Sequence, residues 1–319
     1  MKRQTLLENR LLSAYITHRD CLLHEMGPGH PECPQRIDSI SDFLLAKGLL
    51  DLMLPYDAPE ATREQLQRVH AAEYVAQIEA ASPASGYFHL DPDTTMNPHT
   101  LTAAKRAAGA AILATDLVIA GAAKNAFCCV RPPGHHAERA RGMGFCFFNN
   151  VAVGIAHALE HHKLKRVALV DFDVHHGNGS EDIFKNDPRV LMVSTFEQDI
   201  FPYTGDTPHG PNMVNLPLAA RSRGDAMREA VVHAWLPAIE RHQPEMIFVS
   251  AGFDAHREDD MANLGWIDAD YAWITRHIVH MAERYGHGRI VSVLEGGYAL
   301  DALARSVAAH VGVLIGAYD

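Results

Sequence analysis

The chain has 319 residues, 47% of them hydrophobic, which is long enough to bury roughly three quarters of the surface of the unfolded chain. Its formal net charge of −11, from 28 basic and 39 acidic residues, argues against nucleic acid as a ligand, because such a surface repels phosphate. No apolar run approaches the ~18 residues that a membrane-spanning helix needs, so no membrane partner is expected.

The cysteines and the N-terminal sequence favour a reducing, cytoplasmic location. The five cysteines are an odd number without a CxxC pair, in a chain too long to need disulfides. Glu8 and Arg10 stand where a signal peptide would be apolar, so export is not expected. The 21 histidines raise the expectation of metal or acid–base chemistry, and the oligomeric state is left open.

Residues 1–95 show helix and loop patterns without clear strands, and we expect them to pack on a sheet and its rim. Beyond them, short apolar runs predict buried strands at 126–130, 166–171, 189–195, 246–250 and 289–294. Apolar residues at helical spacing predict helices at 100–120, 151–161, 226–241, 270–283 and 300–313. The alternation predicts an α/β fold, a three-layer sandwich with a mostly parallel central sheet flanked by helices, in one domain over 1–319.

Long polar loops rich in glycine and proline follow the predicted strands. Open α/β sheets bind ligands beyond the carboxyl ends of their strands, so these loops should converge on one site. The loops are RPPGHHAERARGMGF, DFDVHHGNGSED, TFEQDIFPYTGDTPHGPN, AGFDAHREDDMANLGW and EGGYAL.

Two of these loops carry candidate metal ligands. Asp171, Asp173 and His175 follow a predicted strand at two-residue steps, which places them on one side of an extended chain. Asp254, after a second strand, is placed to supply another ligand. Two carboxylates and one imidazole leave an open position on a tetrahedral ion, as in a catalytic zinc site. A single Asp-x-His motif is weak evidence, and the combination across separate strands is what favours metal binding.

Two further loops carry candidates for acid–base chemistry and for oxyanion stabilisation. His135 and His136 follow the strand at 126–130, and both can face the site if the backbone turns between them. Taken alone, a histidine pair is more often a solvated part of a loop. Tyr298 follows two glycines that permit a turn towards the site, although a tyrosine covering the core is the simpler interpretation of that residue alone.

The motifs RPPGHHA, GFCFFNNVA, DFDVHHGNG, SAGFDAH and LEGGY, in this order and spacing, resemble the zinc-dependent histone deacetylase and acetylpolyamine amidohydrolase superfamily. The sequence is most similar to its class II branch and bacterial amidohydrolases. The resemblance extends from about residue 18 to the C-terminus, and HEMGPGHPECPQRI resembles the entrance loop of that family. It implies the arginase/deacetylase fold and a deacetylase that uses one Zn²⁺ to hydrolyse acyl-lysine or a similar acylated amine to a carboxylate and a free amine.

The resemblance also implies roles for individual residues. The implied zinc ligands are Asp173, His175 and Asp254. His136 resembles the general base and later acid, and His135 resembles its electrostatic partner, oriented by Asp171. Tyr298 matches the tyrosine that stabilises the transition state. The implied substrate-binding residues are Gly144, Phe145, Phe201, Met261 and either Asp91 or Asp93 at the rim. A structural K⁺ or Na⁺ is implied at the side chains of Asp171 and Ser194 and the backbone carbonyls of Asp173, His175 and Thr195.

Two positions bear on basicity and on substrate choice. Asn178 stands where class I enzymes carry an aspartate, and a neutral amide should make His136 less basic. Met261 stands where a polyamine-specific relative carries a glutamate, which favours acyl-lysine or small acyl-amides over a cationic polyamine.

Three competing functions remain open from the sequence. The first is an acetylpolyamine or small-metabolite amidohydrolase. The second is a two-manganese ureohydrolase, although Gly177 and His256 stand where further bridging carboxylates would be needed. The third is a non-catalytic module that binds acyl-lysine.

Overall fold

Eight parallel strands form the central sheet of the computed structural model, which describes residues 11–318. Glu8 and Arg10, on which the expectation about export rests, lie outside this range. A separate antiparallel pair is formed by β3 (Phe88–His89) and β4 (Thr95–Met96). In spatial order, the strands of the main sheet are β2 (Met53–Asp57), β1 (Ser13–Thr17), β5 (Ala126–Cys128), β10 (Ile290–Leu294), β9 (Met246–Ala251), β6 (Val167–Asp171), β7 (Val190–Glu197) and β8 (Met213–Leu218).

Helices cover both faces of this sheet. The helices are α1 (Gln35–Ala46), α2 (Arg63–Gln67), α3 (Ala72–Ala81), α4 (Thr100–Ile119), α5 (Asn150–Glu160), α6 (Asn178–Phe184), α7 (Gly224–Ala230), α8 (Leu236–His242), α9 (Asp268–Tyr285) and α10 (Leu300–Leu314). On one face α10 packs between α1 and α9, and on the other α4 packs against α5 and the strands β1, β5 and β10. A π-helical segment, Val231–Trp235, joins α7 to α8.

The predicted α/β sandwich is confirmed, with strands and helices at all of the positions predicted after residue 95. The expectation that residues 1–95 contain no clear strands was wrong, because β1 and β2 belong to the main sheet. The strand β8 was also not predicted. The edge strands β2 and β8 contain Pro55 and Pro217, and a proline costs little at an edge, where its missing N–H faces no neighbouring strand. Across residues 11–318, no helix is both long and apolar enough to cross a bilayer.

The middle of the sheet determines where polar side chains collect. Every residue of β6 is buried, and its last residue, Asp171, is paired with Ser194 of β7 and Ser250 of β9. Five adjacent strands, β5, β10, β9, β6 and β7, therefore end side by side, because all of them run parallel. The loops that follow them meet at this edge of the sheet.

Candidate active site

Three potential metal ligands lie together beyond β6 and β9. Asp173, His175 and Asp254 are buried, and one ligand atom from each lies within 4.8 Å of the others. The Nδ1 atom of His175 is 3.1 Å from Asp173 Oδ1 and 3.3 Å from Asp254 Oδ2. Asp254 Oδ2 is buried and has no partner in hydrogen-bond geometry. An acceptor left free in this way, beside a second carboxylate, is what a cation site requires.

The pKa values of Asp254 and His175 also indicate that this cluster of ligands favours positive charge. Burial and the neighbouring Asp173 raise the pKa of Asp254 to about 6. Although burial opposes this shift, the hydrogen bond to Asp173 and the nearby carboxylate of Asp254 raise the pKa of His175 to about 10. The two carboxylates therefore favour positive charge at this position. A divalent cation would supply that charge in place of a proton on His175, as metal binding to imidazole does in general.

Glycines let the backbone approach the carboxylates closely. A Cβ atom on Gly296 would overlap the carboxylate of Asp254, and one on Gly252 would overlap that of Asp173. The N–H of Gly296 donates to Asp173 Oδ2 at 2.9 Å. The glycine-rich loop after β10 thus fixes the orientation of Asp173 through its backbone.

The tandem histidines lie beside this group, and each is held by a different partner. The Nδ1 atom of His135 is 3.0 Å from Asp171 Oδ2, and the Nδ1 atom of His136 is 2.8 Å from Asn178 Oδ1. The two rings lie 4.0 Å apart. Although burial opposes it, the charges of Asp173 and Asp171 raise the pKa of His135 to about 10. Burial and the charge of His135 hold the pKa of His136 well below its ordinary value. The pair therefore combines a cationic imidazole with a neutral one.

Asn178 fixes the tautomer of His136. Its Nδ2 atom donates to Glu138 Oε1 at 2.8 Å, so its Oδ1 atom is the one that faces His136. The Nδ1 atom of His136 must then carry the proton, which leaves Nε2 as the free acceptor of the neutral ring. A free Nε2 is what a general base needs.

Tyr298, predicted from the sequence, lines the same cavity as His136 and His175. Its ring lies edge-on to Phe145 at 5.9 Å, and the guanidinium carbon of Arg36 is 4.9 Å from its centroid. Burial raises the pKa of Tyr298 well above its ordinary value, so the phenol stays protonated. Asp259 Oδ2 accepts the N–H of Tyr298 at 2.6 Å and holds the loop in place.

The cavity has a volume of about 490 Å³ and opens at the carboxyl edge of the sheet. Asp91, one of the two candidates for the rim carboxylate, is not among the lining residues. Its Oδ1 atom accepts N–H groups from Asp93 at 2.9 Å and Thr94 at 2.6 Å, which commits it to a turn. The lining residues are Asp93, His136, Gly144, Phe145, His175, Asp199, Ile200, Phe201, Tyr203, Met261 and Tyr298.

Three of the five candidate residues for a monovalent cation lie on β6 and β7. Asp171 of β6 is the register partner of Ser194 of β7, and Thr195 follows Ser194. The Oγ1 atom of Thr195 is buried without a hydrogen-bond partner. The other two candidates, Asp173 and His175, belong to the metal group itself, and His175 also lines the cavity.

Comparison with known proteins identifies the family. The family model described as histone deacetylase domain matches residues 30–314. The chain belongs to the histone deacetylase family. Proteins of this family hydrolyse amides, so the chain is an amidohydrolase of the deacetylase type.

Several relatives of this histone deacetylase family member are similar over almost its whole length. A histone deacetylase-like amidohydrolase of Pseudomonas aeruginosa is 37% identical over 312 residues, which is 90% of this chain and 82% of that protein. The human polyamine deacetylase HDAC10 is 35% identical over 328 residues, which is 95% of this chain but 48% of that protein. The crystal structure of the HDA15 HD domain superposes with a TM-score of 0.88 at 33% identity, covering 95% of this chain and 88% of that one.

Two buried residues at this deacetylase-family site received no role from the sequence. Glu295 Oε2 accepts the N–H groups of Gly134 at 2.7 Å and His135 at 3.1 Å, and burial raises its pKa to about 7. Arg36 donates to the carbonyls of Gly297, at 2.6 Å, and Glu295. Glu295 lies in the motif LEGGY, and Arg36 lies in the motif HEMGPGHPECPQRI. Their membership of these family motifs was the one sequence signal that could have indicated a role for them.

Proposed function

We propose that this chain is a zinc-dependent deacetylase that hydrolyses acyl-lysine or a similar acylated amine to a carboxylate and a free amine. The observation that carries the proposal is the convergence of Asp173, His175 and Asp254 beside a cavity that His136 and Tyr298 also line. Every group that metal-assisted amide hydrolysis requires is thus present within one site.

The three ligands fit a catalytic zinc ion. Two carboxylates and one imidazole leave an open coordination position, and Asp254 Oδ2 lacks any other partner. When bound there, the ion would polarise the substrate carbonyl and lower the pKa of a water molecule towards ~7. Fe²⁺ suits the same donor atoms, so both metals belong in any reconstitution experiment.

His136 is the general base and then the general acid in this proposal. Its low pKa keeps it neutral near pH 7, and its Nε2 atom is free to take a proton from water. After the water attacks the carbonyl carbon, the protonated ring gives that proton to the leaving amine nitrogen. Asn178 holds the ring in the tautomer that both transfers need.

His135 and Tyr298 stabilise charge in this scheme. Asp171 holds His135 and favours a positive charge on its ring, and such a charge would stabilise the negative charge that develops during attack. Tyr298 keeps its proton and donates a hydrogen bond to the developing oxyanion. Glu295 and Arg36 keep the backbone loops of these two residues in position.

The cavity suits an acyl-lysine side chain. Phe145 and Phe201 give it aromatic walls, since Phe201 packs edge-on to His136 at 5.0 Å and Phe145 packs on Tyr298. Gly144, with φ of 57°, lets the backbone approach His136 and Phe201 without a side chain. Asp93 at the rim can accept the backbone N–H groups of a peptide substrate. Met261 contributes an apolar surface to the wall.

A K⁺ or Na⁺ ion bound next to the metal group is part of the proposal. The unpartnered hydroxyl of Thr195, next to Ser194 and the buried Asp171, supports it. Such an ion would hold the loop after β6 in shape. We also propose that residues 1–319 form one domain. The five free thiols support a further proposal, a cytoplasmic location.

An acetylpolyamine is the second candidate substrate. The carboxylates of Asp93 and Asp199 both line the cavity, and they would attract the amines of such a molecule. One relative is named a polyamine deacetylase. Against this substrate, Met261 supplies no charge where a cationic chain would need one.

A two-manganese ureohydrolase and a non-catalytic binding module have less support from the site. The ureohydrolase needs more carboxylates than the metal group contains, and His256 pairs instead with Asp268, at 3.2 Å. A non-catalytic module would keep the cavity but show no turnover.

One panel of assays tests the proposal. The metal-stripped protein is reconstituted with Zn²⁺ or Fe²⁺ and assayed with acetyl-lysine peptides, longer acyl-lysine peptides and acetylpolyamines, with and without a chelator. We expect chelator-sensitive release of acetate from acetyl-lysine peptides, with a higher kcat/KM than for acetylpolyamines. A higher kcat/KM for acetylpolyamines would favour the second candidate, and no turnover with any substrate would favour the non-catalytic module.

A further inference from the structure

A second group of potential metal ligands lies away from the cavity, between α4 and α5. Asp116 lies near the end of α4, His157 lies in the last turn of α5, and His161 and His162 follow that helix directly. One ligand atom from each of the four lies within 4.8 Å of the others. Only His157 is buried, so the group is accessible to an ion from solution.

Two of the three imidazoles converge on a single carboxylate oxygen. Asp116 Oδ1 is 2.8 Å from His157 Nε2 and 2.6 Å from His162 Nε2. The ring of His161 lies parallel to that of His157, with centroids 4.7 Å apart and an interplanar angle of 11°. His157 and His161 are four residues apart on one helical face, a spacing that suits two ligands of one ion.

We propose that Asp116, His157, His161 and His162 form a second, structural site for a divalent transition-metal ion such as Zn²⁺. Three imidazoles and one carboxylate complete a tetrahedral coordination shell, which leaves no open position for substrate or water. The site therefore joins two helices and takes no part in hydrolysis.

For Asp116, His157 and His162, the change in geometry that binding demands is small. Metal–ligand bonds of about 2.0–2.2 Å place tetrahedral ligands about 3.3–3.6 Å apart, a little further than the hydrogen-bonded atoms are now. The required movement is less than ~1 Å. Asp116 and His162 can make it because their side chains are 44% and 21% exposed. The ion would replace the protons that His157 and His162 now share with Asp116.

The buried His157 favours its neutral form, which is the form that binds metal. Burial and the neighbouring His161 and His162 lower the pKa of His157, although Asp116 opposes this shift. Within the described residues, no hydrogen bond engages the ring nitrogens of His161, so its lone pair is available.

Arg68 competes with the ion. Its Nη1 atom is 3.1 Å from His157 Nδ1, so Nδ1 accepts a hydrogen bond and Nε2 carries the proton. When Nε2 binds a metal, the proton moves to Nδ1 and faces the N–H of Arg68. Arg68 must then turn towards Glu64, with which it already forms an ion pair at 3.5 Å. Removing Arg68 should therefore strengthen metal binding.

The second site is remote from the reaction. The helix α5 begins next to the tandem histidines, where Asn149 Nδ2 donates to Ala137 O at 3.3 Å. Eleven helical residues at about 1.5 Å each separate that end from His161 by ~16 Å. Two bound ions per chain would thus mean one ion in each of two separate sites and would not indicate a two-metal catalytic centre.

Metal stoichiometry tests the proposal on the full chain. The stripped protein is dialysed to equilibrium against chelator-buffered Zn²⁺, and bound zinc is measured by mass spectrometry. We expect two ions per chain for the wild type, and one for each of the variants H161A/H162A and D116N, with deacetylase turnover unchanged. The variant D254N should also keep one ion but lose turnover, so failure of the second site and failure of the catalytic proposal give different results.

A matched control is H277A/H280A, which removes one partly exposed and one exposed histidine from α9, outside both groups. It should keep both ions. The variant R68Q should bind the second ion more tightly than the wild type. A single zinc ion in the wild type, a second ion retained by H161A/H162A and D116N, or weaker binding in R68Q would overturn the proposal.

Discussion

At the scale of single residues, the proposed hydrolysis depends on His136. The mutation H136A should lower kcat by at least ~100-fold, because it removes the group that moves both protons. KM should change little, since the aromatic walls and the rim remain. Steady-state kinetics on an acetyl-lysine peptide measure this, with H277A as a control expected to behave as the wild type. Full activity of H136A would exclude the ring as the base.

Asn178 sets the basicity of His136. Replacing its amide by a carboxylate should raise the pKa of His136, because the negative charge stabilises the imidazolium. A base with a higher pKa loses its proton at higher pH, so the acid limb of the profile of kcat/KM against pH should move to higher pH. N178D alone would place the new carboxylate against that of Glu138, so the test uses the double mutant N178D/E138Q. The control is E138Q alone. An unmoved acid limb would contradict the role of Asn178.

At the scale of elements, the packing of α4 depends on a glycine. A Cβ atom on Gly109 would overlap the backbone carbonyl of Pro59. Alanine is the better helix former by about 0.8–1.0 kcal/mol, yet the overlap should outweigh this, with a net loss of about 1–3 kcal/mol in the free energy of unfolding. Urea denaturation of G109A measures the loss. The control T102A lies at a partly exposed position of the same helix, and increased stability of G109A would refute the close packing.

The sequence predicted the elements whose burial is complete and missed those at the edges. The strands β6, β9 and β10 are buried throughout, so continuous apolar runs reveal them. By contrast, β2 and β8 are only partly buried and contain prolines, which resembles loop sequence.

For the site, local sequence patterns also predicted some residues and missed others. Residues in motifs that follow strands, such as Asp173 and Tyr298, were predicted to lie together. The choice of Asp93 over Asp91 as a lining residue needed the turn geometry, because composition and spacing are alike for both. Likewise, the contacts of Glu295 with the histidine loop join residues about 160 positions apart, which no local pattern contains.

At the scale of the whole molecule, a buried charge cluster ties the N-terminal region to the sheet. Glu32 accepts two hydrogen bonds from Arg131, at 2.6 and 2.7 Å, and one from Arg36 at 3.2 Å. Although burial opposes ionisation, the charge of Arg131 holds the pKa of Glu32 well below its ordinary value. The ionised Glu32 therefore stabilises the folded protein at pH values above about 4.3, the pKa of a glutamate in an unfolded chain. This stabilisation is lost as the pH falls below that value towards the lower pKa of the folded state.

The mutation E32Q should lower the free energy of unfolding by about 3–5 kcal/mol at pH 7, because it leaves two buried arginines without a counter-charge. The difference from the wild type should shrink on acidification. The control is E64Q, whose side chain is 86% exposed in its pair with Arg68 and whose effect should stay within about 0.5 kcal/mol. Urea denaturation at several pH values measures both, and equal effects of the two mutations would contradict the role of Glu32.

The most direct test of zinc-dependent hydrolysis is turnover as a function of bound zinc in the variant H161A/H162A, which removes the second site. We expect that the stripped protein is inactive, that the rate rises in proportion to bound zinc up to one ion per chain, and that D254N in this background recovers no activity. Full turnover by the metal-free protein, or by the variant that lacks Asp254, would contradict zinc-dependent hydrolysis.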